Sequence, residues 1–107
     1  GNLMSVKLGP GLGYIYKDAF HGCDRLVEVI NGSCFNFFAE TEDGGEVALH
    51  AIEVHRDDIS RLDITEDGFC FFTDGFGTHY LVNYVGSETN PTSPETYNGE
   101  PYVVYEP

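Results

Sequence analysis

Short runs of β-branched and aromatic residues alternate with glycine- and acid-rich turns along most of this chain. The turn signals recur roughly every 8 to 12 residues, which is typical of a meander of short strands. The chain has 107 residues, of which 41% are hydrophobic and 14% aromatic, so it has the length of one domain and the material for one core. We therefore expect a folded, mainly β protein rather than a disordered one.

Three of the turns predict β-hairpins. Asn31-Gly32 lies between two apolar runs in residues 25–38, and both residue types tolerate the positive φ angles of a type I′ turn. The sequence TEDG, residues 65–68, predicts a second hairpin, and DGFG, residues 74–77, predicts a third that pairs FCFF with THYLVNYV.

Two segments allow both strands and helices. Apolar residues in 18–30 and in 46–62 recur at steps of three and four, which matches helical spacing, although we favour strands for both. The predicted fold is a single domain, 1–107, built as a mainly antiparallel meander that closes toward a small barrel or roll, with allowance for one helix. The alternative is an α+β fold with helices packed on one face of an antiparallel sheet.

The C-terminal part of the chain has a different composition. Residues 86–107 contain four of the five prolines, and we expect 86–101 to form an irregular loop. A short strand at residues 102–105 should follow it. Because this tetrapeptide is apolar, it should be covered in the folded protein.

Charge is the bulk property that says most about function. Residues 41–107 contain fourteen acidic and two basic residues, a net charge of −12 out of −13 for the whole chain. Such a field repels nucleic acid and anionic membranes and attracts cationic partners. An acidic surface that serves only solubility is the plain alternative.

The charge pattern predicts a non-enzymatic protein that occludes a basic partner. Such a protein would act as an immunity or inhibitor protein against a nuclease, or as a nucleic-acid mimic that blocks a DNA-handling defence enzyme. In a meander, alternate turns share one end of the sheet, so carboxylates that are distant in sequence could gather in space. The predicted partner-binding residues are Glu42, Asp43, Glu46, Asp57, Asp58, Asp63, Glu66, Asp67, Asp74 and Phe76. The alternative is a small-ligand- or metal-binding β domain.

One stretch resembles the spacing of a calcium loop. Asp63, Thr65, Asp67, Gly68 and Asp74 occupy positions 1, 3, 5, 6 and 12 of a twelve-residue window. Position 9, however, is a phenylalanine, and no helix is predicted on either side. We therefore interpret the stretch as a hairpin turn and not as a calcium site.

Histidines and cysteines offer weaker candidates. There is no Cys-x-x-Cys sequence, and the only close pair of zinc ligands is His21 and Cys23. Cys70 with His79, or Cys23 with His21, could form a nucleophilic pair, but no recognisable signature flanks them. We predict no catalytic residue, no metal and no cofactor.

The remaining features concern the compartment. No run of apolar residues is long enough to cross a membrane, and the N-terminal region lacks the basic and apolar segments of a signal peptide. The odd number of cysteines, three, favours reduced thiols. We expect a cytoplasmic protein that contacts neither a membrane nor nucleic acid directly.

Overall fold

The computed structural model describes residues 3–106, with Asp43 described by its backbone alone. The chain divides into two compact units, residues 1–60 and residues 61–106. Each unit contains one open sheet, and in the described residues the strands make up far more of the chain than the single helical turn. The mainly β class is therefore confirmed, whereas neither sheet closes into a barrel.

The first unit contains a three-stranded parallel sheet. Its strands are β1 (Ser5–Leu8), β2 (Glu28–Asn31) and β3 (Glu53–His55), in the order β1-β2-β3. All four residues of the central strand β2 are buried. Parallel neighbours require crossover connections, which here consist largely of turns and irregular backbone. The prediction of mainly antiparallel pairing is wrong for this unit.

One face of this sheet packs on the core of the unit. Val29 of β2 is fully buried together with Leu26, Val47 and Ala48, which the connections bring over the sheet. Each fully buried Val or Leu side chain contributes roughly 1.5–3 kcal/mol relative to an exposed one. The other face is polar: Ser5, Glu28 and Glu53 lie side by side across the three strands.

The predicted hairpin at Asn31-Gly32 does not form. Both edges of β2 are occupied, because β1 pairs with one and β3 with the other, so the following residues find no free edge there. Neither Asn31 nor Gly32 has the positive φ that a type I′ turn requires. Instead the Asn31 side chain accepts a hydrogen bond from the Ser33 N–H at 3.1 Å, and the chain turns away from the sheet.

The two ambiguous segments are mostly turns and irregular backbone. Strands occupy only residues 28–30 of the first segment, and Glu53–His55 and Leu62 of the second. The helix of the structure is α1 (Asp43–Glu46), a single turn with left-handed φ angles at Gly44 and Gly45. The preference for strands throughout 18–30 and 46–62 is therefore wrong, and so is the alternative of packed helices.

The second unit contains a four-stranded sheet in the order β4-β5-β6-β7. Its strands are β4 (Leu62–Ile64), β5 (Phe69–Thr73), β6 (His79–Tyr84) and β7 (Val103–Val104). The pairs β4–β5 and β5–β6 are antiparallel, which confirms the two hairpins predicted from TEDG and DGFG. Strand β7 lies parallel to β6 at the edge of the sheet.

The C-terminal segment covers the core of the second unit. Phe71 of β5 is buried, the ring of Tyr97 stacks on it with centroids 4.4 Å apart, and the ring of Tyr102 meets it edge-on at 5.1 Å. The side chains of Val103 and Val104 remain exposed. The expectation that the whole apolar tetrapeptide would be covered is wrong for these two residues.

Candidate acidic binding site

The structure divides the predicted partner-binding residues between the two units. In the first unit, Glu42, Asp57 and Asp58 are exposed, and Asp58 forms an ion pair with Lys7. Glu46 is half-buried, and its carboxylate bonds to the imidazole of His21. The side chain of Asp43 lies outside the described part of the structure.

In the second unit, the two hairpin turns place their acidic residues at opposite ends of the sheet. Strand β5 runs from the turn at residues 65–68 to the turn at residues 74–77. Its five residues span about 17 Å at ~3.4 Å per residue. Glu66 and Asp67 therefore lie at one end, whereas Asp74 and Phe76 lie at the other.

At the β5–β6 end, Asp74 stabilises the turn itself. Its Oδ1 accepts hydrogen bonds from the N–H groups of Phe76 at 2.9 Å and Thr78 at 3.0 Å. The turn presents the Phe76 ring to solvent, with 94% of the residue exposed. This end of the sheet therefore offers an apolar contact, while the Asp74 carboxylate is engaged within the chain.

Asp63 lies on β4 opposite Phe71 and is also engaged. Its Oδ2 accepts a hydrogen bond from the Tyr97 hydroxyl at 2.7 Å. Partial burial and the negative charge of Asp63 raise the pKa of Tyr97 to about 12. This bond ties the irregular C-terminal segment to the sheet.

The β4–β5 end forms an acidic cleft. Its lining includes three exposed carboxylates, those of Glu66, Asp67 and Glu88, and contains no lysine, arginine or histidine. The cleft has a volume of about 410 Å³ and is also walled by Phe69 and Tyr84. We call these five residues the acidic cleft. Glu88 was not among the predicted partner-binding residues, because it lies in the proline-rich segment, which we expected to be an irregular loop.

Two glycines hold the two sides of this cleft together. Gly68 has a φ of +94°, and a Cβ atom there would fall 2.5 Å from the nitrogen of Gly86. The Val85 N–H donates to the Gly68 carbonyl at 2.8 Å. The Glu88 N–H donates to the Tyr84 hydroxyl oxygen at 3.0 Å. The cleft is therefore fixed by backbone contacts and does not depend on the carboxylates that line it.

Basic residues do not neutralise this acidity. The chain has eighteen acidic residues and only five lysines and arginines, so its net charge is −13 with histidine neutral. One of the five, Arg56, directs its guanidinium to backbone carbonyls of the loop after β2, at 3.1 Å from Asn31, 2.8 Å from Ser33 and 3.0 Å from Phe35. It organises that loop instead of balancing a carboxylate.

The calcium-like stretch and the Cys70–His79 pair do not assemble into a site. The calcium-like stretch is a β4–turn–β5 hairpin, as interpreted, and has no flanking helices. His79 faces Thr73 across the hairpin and bonds to its hydroxyl at 2.7 Å, whereas Cys70 pairs with Asn83. Burial raises the pKa of the Cys70 thiol, which makes it a poorer nucleophile.

Sequence reasoning missed two clusters of polar side chains. Glu28 is fully buried and accepts hydrogen bonds from Ser5, Ser60 and His55. A carboxylate inside the apolar run LVEVI was the available signal for this buried network. The second cluster joins Asp18 and His21, which lie in one turn, to Glu46 at the end of α1. No sequence pattern pointed to it, because Glu46 is distant in sequence from the other two.

Comparison with protein-family models, with curated proteins and with solved structures finds no match to this chain. None of the helical structure in residues 3–106 has the length and apolar character that a membrane crossing requires.

Proposed function

We propose that this chain is a non-enzymatic acidic protein that binds and occludes a basic protein partner in the cytoplasm. The partner class is a nuclease or a DNA-handling enzyme, whose phosphate-binding groove is cationic. The observation that carries the proposal is the acidic cleft, where Glu66, Asp67 and Glu88 line one concavity without a basic residue.

Concave shape strengthens the effect of these charges. A cleft lined by charges of one sign, with low-dielectric walls, focuses the electric field and raises the local concentration of the opposite charge. The rings of Phe69 and Tyr84 supply such walls. A lysine or arginine side chain of the partner would enter between the carboxylates and lie against the Tyr84 ring, which also attracts cations.

The net charge of −13 adds long-range steering. Opposite charges on two proteins raise the association rate well above that of neutral surfaces, and this gain falls as salt screens the field. At about 0.15 M salt the screening length is roughly 8 Å. We therefore expect association to slow steeply with ionic strength.

Phe76 gives the partner a second contact. Exposed aromatic residues commonly dominate the binding energy of interfaces when the partner buries them. Because Phe76 lies at the opposite end of the sheet from the acidic cleft, a partner that covers both must span the length of β5. A Phe76→Ala variant should then weaken binding without changing its dependence on salt.

The test is capture of partners by the immobilised chain at low and high salt, followed by identification and affinity measurement with the purified partner. The proposal expects a basic protein that is retained at low salt and released at high salt. The informative variant is Glu66→Gln with Asp67→Asn and Glu88→Gln, which keeps side-chain size and removes three charges. Its matched control, Asp24→Asn with Glu40→Gln and Glu106→Gln, removes three exposed charges at positions outside the predicted partner-binding residues.

The two triple variants separate a defined site from general acidity. If the acidic cleft carries recognition, the cleft variant loses far more affinity than the control. Equal losses of affinity in both variants would show that the partner recognises general acidity and not the acidic cleft. Failure to recover any basic partner at low salt would remove the basis of the proposal.

A further inference from the structure

Asp18, His21 and Glu46 bring three metal-binding side chains together on the first unit. One donor atom from each, two carboxylate oxygens and one imidazole nitrogen, all lie within 4.8 Å of one another. The His21 Nδ1 atom is 2.9 Å from Glu46 Oε2. Among the described residues, this is the one group of three or more histidine, cysteine or acidic residues that is close enough to share an ion.

The backbone holds the two segments of this cluster against each other. The Phe20 N–H, between Asp18 and His21, donates to the Gly45 carbonyl at 2.8 Å. Gly45 has a φ of +67°, and a Cβ atom there would fall 2.5 Å from the Tyr16 carbonyl oxygen. Only glycine lets the backbone at residue 45 lie this close to Tyr16. Gly45 therefore positions Glu46 beside His21.

The chemistry of the donors favours a cation over an ordinary ion pair. Two carboxylates that lie this close repel each other unless a positive charge sits between them.

We propose that Asp18, His21 and Glu46 bind a first-row divalent cation, with Zn²⁺ as the reference ion, through one donor atom each. Zinc with Zn–N and Zn–O bonds of about 2.1 Å requires donors roughly 3.4 Å apart. This spacing lies between the 2.9 Å that separates His21 Nδ1 from Glu46 Oε2 and the 4.8 Å within which all three donors lie. Three protein ligands leave the remaining position to water, as in sites that exchange their fourth ligand. The imidazole favours Zn²⁺ over Mg²⁺ or Ca²⁺, which prefer oxygen alone.

A second histidine–carboxylate pair provides an internal control. In the second unit, His79 Nε2 lies 3.5 Å from Glu100 Oε1, but this pair belongs to no group of three donors in the described residues. If exposed histidine–glutamate pairs bound zinc in general, both pairs would contribute. The proposal assigns binding to the first pair because Asp18 completes it.

The experiment is titration of the full chain with ZnCl₂ by isothermal calorimetry, with magnesium chloride as the comparison salt. The expected result is one zinc site per chain and no comparable magnesium binding. Each of Asp18→Asn, His21→Asn and Glu46→Gln should weaken zinc binding by at least the roughly 10-fold that loss of an outer-shell partner costs in known sites. His79→Gln should leave the zinc affinity unchanged.

Asp18→Asn is the decisive variant. Asp18 has a φ of +61°, a conformation that asparagine also tolerates, so this change removes the charge and spares the backbone. A thermal melt of each variant shows whether it has folded, and Asp18→Asn carries the test if Glu46→Gln does not fold. The proposal is overturned if the wild type binds no zinc, if Asp18→Asn keeps its affinity, or if His79→Gln loses as much affinity as His21→Asn.

Discussion

Glu28 and His55 form a buried pair in the first unit, with Nε2 of the histidine 2.8 Å from Oε2 of the glutamate. The Glu28 side chain is fully buried and only 7% of the His55 side chain is exposed. The second carboxylate oxygen, Oε1, accepts hydrogen bonds from the hydroxyls of Ser5 and Ser60, each at 2.6 Å. The two serine hydroxyls donate to Oε1, and the imidazole donates to Oε2 as its Nε2–H tautomer, so both carboxylate oxygens act as acceptors.

We predict that Glu28→Gln destabilises the first unit. The amide replaces one acceptor with an NH₂ group that meets donors, and a buried polar group left without a partner costs about 1–3 kcal/mol. The measurement is the free energy of unfolding in urea, with Glu40→Gln on the exposed surface as the control. Equal stability of the two variants would show that the hydrogen bonds of Glu28 contribute nothing net to folding.

A second prediction concerns the glycines of the two confirmed hairpins. Gly68 and Gly77 both have left-handed φ angles, +94° and +87°, but only Gly68 has backbone atoms where a Cβ would lie. Gly77→Ala should therefore cost about 1–2 kcal/mol for the backbone conformation alone. Gly68→Ala should cost clearly more, because the backbone of Val85 and Gly86 must also shift.

Urea unfolding of the two alanine variants measures this difference. Gly9→Ala is the reference, because its φ is not left-handed and its Cβ would meet nothing within 4 Å. Affinity for a basic partner should become less dependent on salt in Gly68→Ala but not in Gly77→Ala, since only the first substitution opens the acidic cleft. Similar stabilities for Gly68→Ala and Gly77→Ala would contradict the close contact between residues 68 and 86.

The second unit was predictable because its structure is local. Its β4–β5 and β5–β6 pairs join neighbouring segments, and the turn residues between them carry their own conformational preferences. The first unit was not, because strands β1, β2 and β3 pair in parallel across long connections. The local sequence of a parallel strand resembles that of a hairpin strand. Asn31-Gly32 therefore predicted a hairpin turn, whereas β2 pairs with β1 and β3 instead.

The candidate site shows the same limit. The sequence identified Glu66 and Asp67 as surface acids, and their turn places them in the acidic cleft. The sequence did not identify Glu88, because Glu88 reaches the acidic cleft only when Gly86 packs against Gly68. The grouping of all predicted acids into one face also remains without support, since consecutive hairpin turns lie at opposite ends of the second sheet.

A third prediction concerns Tyr97, whose hydroxyl donates to Asp63. Partial burial, assisted by Asp63, raises its pKa to about 12, above the ordinary value of 10. A raised folded-state pKa adds stability that is complete below pH ~10 and is lost as the pH rises toward ~12. Absorbance titration of the tyrosines should therefore show Tyr97 ionising late. Asp63→Asn should lower its pKa, whereas the control Glu95→Gln should not.

The last prediction follows from the raised pKa of His21. The hydrogen bond and charge of Glu46, with the charge of Asp18, hold the imidazole protonated above its ordinary pKa of 6.5. The ion pair is therefore present at low pH and is lost as the pH rises through the raised pKa. NMR titration of the His21 ring without metal should place its midpoint above that of a free histidine, and Glu46→Gln should lower it.

Zinc must displace the proton on the His21 ring, because histidine binds a metal ion only as the neutral imidazole. Zinc affinity should then rise about tenfold per pH unit below the His21 pKa and level off above it, since one proton is released per ion bound. Calorimetry across the pH range measures the slope, and buffers of different ionisation enthalpy count the protons. A zinc affinity that is independent of pH below the measured His21 midpoint would place the ion on other ligands.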